Sequence, residues 1–272
     1  MTTYYFYKNT KSKFLEISGQ DSVPFIQNLI TNDINKCKEN HFVYSCLLTP
    51  QGKFFADFFI FKNKEKYFFE VNDIFYENFL NKLNMYKLRS NINIEEIKLF
   101  YSFIIFGELE INNHYEILNF DPRNNNIGKK LIQYDPLIKF NEKIIEIDEK
   151  KYHEILIKNK VPYSPFDLQE NKSLLLENNF DNINAISWNK GCFVGQEITA
   201  RMKYRALLKK QLYALELISG KINIGDKIIE KGVVLGEVIS KANQYIFCIL
   251  KIELVREKSE KKALLDIDSS TT

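Results

Sequence analysis

The residue types best suited to chemistry concentrate in one short window, 188–205. It holds the only tryptophan, one of four cysteines, two of ten glycines and two of five arginines. Gly191 and Gly195 flank Cys192, so the backbone can bend tightly around a thiol that no bulky neighbour shields. Because a nearby helix N-terminus stabilises a thiolate, the window predicts a reactive cysteine. A small buried cysteine is the alternative interpretation.

The residues after the thiol predict a helix over 196–204, because this stretch contains no helix breaker. Glu197, Arg201 and Arg205 are spaced four residues apart and so lie near one face of that helix. The carboxylate of Glu197 also suits the positive N-terminal end of the helix. Cations beside a thiol suit an anionic or one-carbon ligand, and a solvated, salt-bridged helix face is the alternative.

A second candidate, Asp57, is the only charged residue in the strand-like segment 54–61. An ionised carboxylate in so apolar a strand must face a cavity, find a partner or raise its pKa. We therefore expect Asp57 to face a ligand cavity. The alternative is a solvent-facing aspartate on an edge strand.

The other cysteines and the histidines indicate no metal site and no catalytic triad. All of them are widely separated, without Cys-x-x-Cys spacing: Cys37, Cys46, Cys192, Cys248, His41, His114 and His153. We expect the histidines, and the cysteines other than Cys192, to be structural or solvated. Asp121 and Arg123 lie in a Pro- and Asn-rich loop and are expected to form a local turn pair.

The composition limits the class of protein. With 272 residues, of which 45% are hydrophobic and 27% charged, the chain is globular and long enough for two or three packed lobes. The net charge of +3 is too small to indicate nucleic-acid binding by itself. No apolar run is long enough for a membrane span, and the N-terminus resembles neither a signal nor a transit peptide. We expect a cytoplasmic protein without membrane contact.

The pattern of apolar residues predicts the strands and helices that position these candidates. The predicted elements are a strand, glycine turn and helix over 14–30, hairpins over 41–71, a helix over 73–88, strands over 92–120, a loop over 121–128 and a helix over 148–160. After residue 210, short strands separated by glycines predict a small β-barrel. The whole pattern favours the α+β class.

One string of residues resembles a known family. Lys190-Gly-Cys-Phe-Val-Gly-Gln-Glu197, followed by Ala200-Arg201 and Lys203-Tyr-Arg205, is similar to the signature of the YgfZ family. These folate-binding proteins are related to the T-protein aminomethyltransferase of glycine cleavage and to a mitochondrial factor that helps to mature iron-sulfur enzymes. Further segments resemble the family along nearly the whole chain: Ile17–Asp21, Phe25–Gln27, Thr31–Asp33, Pro50–Lys53, Ala56–Phe58, Asp121–Arg123, Asn179–Asp181 and Ile186–Trp188.

The sequence also departs from the family pattern. Leu156 and Lys160 stand where relatives usually carry an arginine and a glycine, and Lys129 or Lys130 replaces another arginine. Ala206 stands where glycine is common. Because lysine does not reproduce the planar fork of arginine, and leucine carries no charge, we expect the pocket geometry to differ.

The resemblance implies two α+β lobes of the GcvT/YgfZ type and a small C-terminal β-barrel, arranged like a ring around a central pocket. The implied boundaries are 1–206 for the folate-binding region, 207–255 for the barrel and 256–272 for a disordered tail. Segments 54–61 and 190–197 are expected to line opposite walls of one hollow.

The resemblance further implies a site for tetrahydrofolate or a derivative. In the related aminomethyltransferases the aspartate at this strand position contacts the reacting nitrogen region, so Asp57 is expected to polarise a folate nitrogen. The cations are expected to attract glutamyl carboxylates, and Cys192 to receive, transfer or protect a one-carbon or sulfur-bound group. The expected folate-binding residues are Asp57, Lys190, Gln196, Glu197, Arg201, Lys203 and Arg205.

The leading functional hypothesis is an accessory factor that supports assembly or repair of iron-sulfur enzymes, including those that modify tRNA. Its implied partners are a folate and iron-sulfur enzymes or assembly proteins; whether it turns over a substrate is left open. A folate-dependent aminomethyltransferase is one alternative. Another is a non-catalytic scaffold that binds tRNA weakly through the basic patch at 203–210, in a salt-sensitive way.

Overall fold

A computed structural model describes residues 4–107, 115–138, 144–205 and 207–255. The expectations for His114, Ala206 and the tail from residue 256 lie outside these residues. The described part of the chain folds into three β-sheets and five α-helices, a mixed α and β fold.

The strands and helices are named in chain order. The strands are β1 (Tyr4–Asn9), β2 (Ser12–Ser18), β3 (Val43–Leu48), β4 (Phe54–Asn63), β5 (Lys66–Asn72), β6 (Asn93–Ile97), β7 (Tyr101–Phe106), β8 (Tyr115–Phe120), β9 (Lys129–Gln133), β10 (Ile144–Glu146), β11 (Lys210–Glu216), β12 (Lys227–Glu230), β13 (Val233–Ala242) and β14 (Tyr245–Lys251). The helices are α1 (Ser22–Leu29), α2 (Asp73–Lys87), α3 (Glu149–Lys158), α4 (Ser164–Asp167) and α5 (Gln196–Tyr204).

The first sheet, in the order β3-β4-β5-β2-β6, is antiparallel throughout and carries Asp57 in its interior. Strand β4 has a neighbour on each side, which excludes the edge-strand alternative for Asp57. Helix α2 covers one face of β4. On this face the ring centre of Phe58 lies 4.9 Å from that of Phe79 in α2 and 5.3 Å from that of Phe69 in β5. Because side chains alternate along a strand, Asp57 and Phe59 point to the other face.

Helix α2 shows why the sequence folds in this way. Its first backbone N–H groups need a cap, and the side chain of Asn72 accepts a hydrogen bond from the N–H of Ile74. The residues that the helix buries recur at the spacing of three and four that predicts an amphipathic helix: Phe75, Tyr76, Phe79 and Leu83. Their burial against the first sheet fixes β4 in place.

The second sheet, in the order β10-β1-β7-β9-β8, contributes the opposite wall of the site. Strand β9 carries Lys130, and the loop between β8 and β9 carries Asp121 and Arg123. All three side chains are buried. Charged groups from a distant part of the chain therefore meet the strand that carries Asp57.

The C-terminal sheet, in the order β11-β14-β13-β12, is antiparallel and open. A barrel closes only when its first and last strands pair with each other. Within the described residues, β11 and β12 form the two edges of the sheet and do not pair. The expected barrel is therefore not found there, and an open four-stranded sheet takes its place.

Buried polar contacts join this sheet to the rest of the chain. Asp167, at the end of α4, accepts hydrogen bonds from the hydroxyl of Ser240 in β13 and from the backbone N–H of Tyr163. Nε2 of His153 lies 3.2 Å from Oδ1 of Asp167. The side chain of Asn179 donates to the Leu212 carbonyl oxygen at 2.7 Å. His153 is buried, as a structural histidine would be.

Candidate functional site

Asp57 faces a small cavity between the first two sheets. The side chains of Phe59, Glu70, Arg123, Lys130, Tyr152 and Ser164 help to line it. Its free volume is about 40 Å³, which is room for about three water molecules. The cavity is therefore lined by several charged and polar side chains and is smaller than the pockets of a few hundred Å³ that usually bind organic ligands.

Two hydroxyl groups hold the carboxyl group of Asp57. Tyr44 donates a hydrogen bond to Oδ2 at 2.5 Å, and Ser164 forms a second hydrogen bond. Burial raises the pKa of Asp57, and these hydrogen bonds together with the charge of Arg123 oppose the rise without cancelling it. Asp57 is therefore oriented, and it can exchange a proton with a ligand atom in the cavity.

Arg123 forms a buried ion pair at one end of the cavity. Its Nε and Nη2 donate to the two carboxylate oxygens of Asp121 at 3.0 and 2.8 Å, and Nη2 also donates to the Tyr152 hydroxyl at 2.8 Å. Burial is the largest cause that raises the pKa of Tyr152, to about 12, which keeps that hydroxyl neutral. The expected turn pair thus exists, but it also forms part of the cavity wall.

A second buried ion pair lies at the other end. The ammonium group of Lys130 lies 2.7 Å from Oε2 of Glu70 and donates to the Ser102 hydroxyl at 3.1 Å. The Ser12 hydroxyl donates to the other oxygen of Glu70 at 2.5 Å. Both charges of the pair are nearly inaccessible to solvent. Removing one of them would therefore leave the other as an uncompensated buried charge.

The ring of Phe59 lies within reach of both cations. Its centre is 4.9 Å from the Arg123 guanidinium carbon and 4.2 Å from the Lys130 ammonium nitrogen. These are distances at which a cation attracts the face of an aromatic ring. A flat ring is therefore favoured at this point of the cavity, and Phe59 supplies it.

The charges of the cavity leave Asp57 without a cation of its own, because Asp121 pairs with Arg123 and Glu70 with Lys130. An ionised Asp57 then adds one uncompensated negative charge. Such a site favours a ligand with N–H donors or a positive charge. A reduced pterin ring carries such N–H donors, and it would fit if the side chain of Phe59 moved aside.

The thiol loop is anchored elsewhere, at the C-terminal end of α1. The ammonium group of Lys190 donates to the carbonyl oxygens of Gln27, Ile30 and Asn32 at 2.6, 2.7 and 2.8 Å. Burial lowers the pKa of Lys190 to about 8, although the charge of Asp33 acts in the opposite direction. Lys190 therefore caps a helix, and its three N–H groups are occupied.

Gly195 sets the second anchor of this loop. Its φ is +80°, and a Cβ at this position would lie 2.5 Å from the Thr49 carbonyl oxygen and 3.1 Å from Cα of Gly52. Only glycine fits where two backbone segments approach so closely. The loop is thereby fixed to the β3–β4 turn, and α5 begins at the next residue, as the sequence predicts.

The remaining candidates of the motif lie on the outside of the protein. Cys192 and Arg205 are exposed. Arg201 binds Glu197 at 2.6 Å, with 55% and 76% of the two side chains exposed, and Gln196 is partly buried. The solvated helix face that the sequence left open as an alternative is therefore present.

Lys203 makes its own contacts on this surface. Its ammonium group lies 4.2 Å from the ring centre of Trp188 and 3.8 Å from Oδ2 of Asp181. Trp188 also meets the ring of Tyr204 at 5.9 Å. Lys203 thus packs on the only tryptophan of the chain and does not approach Asp57.

The structure does not confirm that Asp57 and Cys192 lie on opposite walls of one hollow. Among the described residues, none from segment 190–205 lines the cavity of Asp57. The thiol loop packs against Gly52, which lies in the turn before β4, whereas Asp57 lies inside that strand. The expected ring-like pocket is therefore not confirmed, and Lys190 and Gly195 tie the loop to α1 and to the hairpin turn.

Several residues of the cavity were not among the sequence candidates, namely Glu70, Lys130, Tyr152 and Ser164. Nor was Tyr44, which holds the carboxyl group of Asp57. Two of these residues carry the same signal as Asp57. Glu70 is the only charge in the apolar core of β5, and Lys130 precedes a run of buried residues in β9. A charge inside an apolar strand was thus a better guide than spacing alone. The tyrosines and Ser164 carry no such signal.

Two further searches of the described residues were negative. In residues 4–107, 115–138, 144–205 and 207–255, no three His, Cys, Asp or Glu side chains gather as a set of metal ligands. Nor is any helix of this part both long and apolar enough to cross a bilayer.

Comparison with known proteins relates the chain to three groups. The GCVT N-terminal domain family matches residues 9–104, which include Asp57. The mitochondrial iron-sulfur cluster assembly factor IBA57 homolog of Mycosarcoma maydis is 25% identical over 220 residues, covering 74% of this chain and 54% of that protein. The tRNA-modifying protein YgfZ of Buchnera aphidicola subsp. Schizaphis graminum is 29% identical over 236 residues, covering 78% of this chain and 72% of that protein.

A solved structure shares the fold. Glycine cleavage system aminomethyltransferase T from Bartonella henselae matches with a TM-score of 0.73 over 92% of this chain and 79% of its own, at 10% identity. The chain is therefore similar to the YgfZ and IBA57 proteins and shares the fold of a GcvT-type aminomethyltransferase. The resemblance to the YgfZ family that the sequence predicted is thereby confirmed. The chain spans about half the length of the fungal IBA57 proteins that it matches, 54% in M. maydis and 52% in Neurospora crassa.

Proposed function

We propose that this protein binds tetrahydrofolate or a derivative and supports iron-sulfur cluster assembly or repair, including the iron-sulfur enzymes that modify tRNA. The observation that carries the proposal is Asp57, an oriented carboxyl group with a raised pKa in a polar cavity. The names of the IBA57 and YgfZ relatives support the iron-sulfur and tRNA parts of the proposal.

In this proposal the chain's own residues prepare the ligand site. Asp57 accepts hydrogen bonds from ring N–H groups, and Tyr44 and Ser164 keep its carboxyl group in position. The bound folate would supply the one-carbon chemistry. Phe59 leaves its place beside Arg123 and Lys130 when the ligand ring enters, because the present free volume is about 40 Å³.

The exposed residues of the motif receive a separate role in the proposal. Cys192 acts at the surface, where a client iron-sulfur protein can reach its thiol. The accessible charges of Glu197, Arg201 and Arg205 orient that client, and Gln196 supports the start of α5. A weak tRNA contact through Arg205, together with the neighbouring lysines 209 and 210, is compatible with this surface.

The finer architecture belongs to the same proposal. We propose lobes within 1–206 that close around the folate, and a C-terminal unit at 207–255 whose open sheet takes the place of a barrel. The relatives named here include mitochondrial proteins, and the cytoplasm is the compartment that we propose for this chain.

Folate binding is tested by titrating tetrahydrofolate into the protein under anaerobic conditions in a calorimeter. Asp57→Asn removes a charge that accepts hydrogen bonds and is expected to weaken binding by about tenfold or more. Asp73→Asn, which changes an exposed aspartate at the start of α2, is the matched control and should bind like wild type. Equal binding by all three proteins would disprove the assignment of Asp57.

The role of the thiol is tested in a strain that lacks the gene. Cys192→Ala should leave the folded state and the folate affinity unchanged but should not restore the activity of iron-sulfur enzymes. Asn189→Ala, a nearby exposed position, should restore it. Full restoration by Cys192→Ala would remove the thiol from the proposal. Turnover of an aminomethyl donor by the purified protein would instead favour the aminomethyltransferase.

A further inference from the structure

A second, larger cavity opens beside the site of Asp57. It is a groove of about 630 Å³ between the β1–β2 connection and the β6–β7 connection. Its walls include Lys8, Lys13, Glu96, Lys98, Phe100 and Tyr101. The sequence analysis singled out none of these residues, and the roles proposed above do not use them.

The groove and the Asp57 cavity share part of their walls. Asn9 and Ser12 line both spaces. The Ser12 hydroxyl binds Glu70 at 2.5 Å, and Ser102, which lines the groove, accepts a hydrogen bond from Lys130 at 3.1 Å. The buried Glu70–Lys130 pair therefore forms the partition, with one side toward Asp57 and the other toward the groove.

The charge of the groove is positive. Three lysines face one carboxylate, and the only ion pair among them, Lys98 with Glu96 at 3.8 Å, is largely exposed. In the described part of the chain Lys13 is exposed and has no carboxylate partner. Lys8 is placed by the Pro136 carbonyl oxygen at 2.8 Å and by the Tyr101 ring, 5.7 Å away. An anionic chain would be attracted along the whole groove.

We propose that this groove binds the oligo-γ-glutamyl tail of the folate whose ring lies at Asp57. The inference rests on the proposed function, because it extends the same ligand past Asn9 and Ser12, which line both spaces. Each added glutamate brings one carboxylate, and Lys8, Lys13 and Lys98 supply cations for it. The rings of Phe100 and Tyr101 supply the apolar surface along which the chain can lie.

The test compares tetrahydrofolate carrying one glutamate with tetrahydrofolate carrying three, by calorimetry at low salt. Exposed ion pairs are weak, so the two extra carboxylates are expected to tighten binding by about two- to twentyfold. The double variant Lys13→Glu/Lys98→Glu should lose this advantage and keep the affinity for the monoglutamate. High salt should have the same effect on the wild type.

The control is Lys221→Glu/Lys251→Glu, which changes the net charge equally on exposed positions of the C-terminal part. It should retain the preference for three glutamates. The groove assignment is overturned if the wild type binds both ligands equally, or if both double variants behave alike. If neither ligand binds, or if Asp57→Asn has no effect on the monoglutamate, the proposed function fails together with it.

Discussion

Replacing Lys190 by methionine separates a structural role from a ligand role for this residue. Methionine keeps the length of the side chain but removes three hydrogen bonds of 2.6–2.8 Å to the carbonyl oxygens of Gln27, Ile30 and Asn32. A hydrogen bond from a charged donor contributes about 1.5–3 kcal/mol, and contributions within one group are not additive. Because Lys190 is only partly buried, water can replace some of the loss. We expect the free energy of unfolding to fall by about 3–5 kcal/mol.

The assay is urea unfolding followed by circular dichroism at pH 7, with folate binding measured on the folded protein. Lys172→Met is the control, because Lys172 is exposed, and it should change stability by less than about 0.5 kcal/mol. If Lys190→Met is as stable as wild type but binds folate much more weakly, Lys190 is a ligand residue and the cap is unimportant.

Three other predictions concern the cavity and the thiol loop. Burial raises the pKa of Asp57, so the folded state holds a proton that the unfolded state has already released. The carboxyl group of Asp57 therefore lowers the free energy of unfolding as the pH rises through its folded-state pKa. Asp57→Asn should therefore be more stable than wild type in urea at pH 7, with a smaller gain near pH 4; an equal gain would contradict the pKa shift. Phe59→Ala frees space beside Arg123 and should tighten tetrahydrofolate binding about tenfold, since no ring must be displaced; weaker binding in the calorimeter would make Phe59 a wall of the ligand site. Gly195→Ala must strain φ at +80° and meet the Thr49 carbonyl oxygen at 2.5 Å, so thermal unfolding should show a loss of about 2–4 kcal/mol, whereas Gly191→Ala, with open space around it, should show almost none.

Local patterns predicted most of the helices and hairpins. The helix predicted over 196–204 is α5, Gln196–Tyr204, and the helix predicted from Asp73 is α2. In both segments the neighbours that decide the structure lie within a few residues. Strand β1, by contrast, was not predicted, because its partners β7 and β10 lie far away in the chain. Pairing over such a distance leaves no local pattern.

The candidate site shows the same division. A lone charge in an apolar strand identified Asp57, because desolvation of a carboxylate is a local cost that the sequence displays. The sequence did not predict where the 188–205 window packs. Its contacts are the carbonyl oxygens around α1 and the turn at Gly52, and both belong to another part of the chain. The motif therefore indicated the family that the chain resembles but not the position of its thiol.

The buried contacts between the C-terminal sheet and the body bear on how the chain withstands heat and proteases. If the sheet separated from the body, Asp167 would lose its hydrogen bond from Ser240, and Asn179 would lose its bond to the Leu212 carbonyl oxygen. A buried polar group that loses a hydrogen bond away from water costs stability. The C-terminal sheet thus shields these buried polar groups of the body from water. Melting should accordingly proceed as one cooperative transition, with no stable fragment that survives digestion on its own.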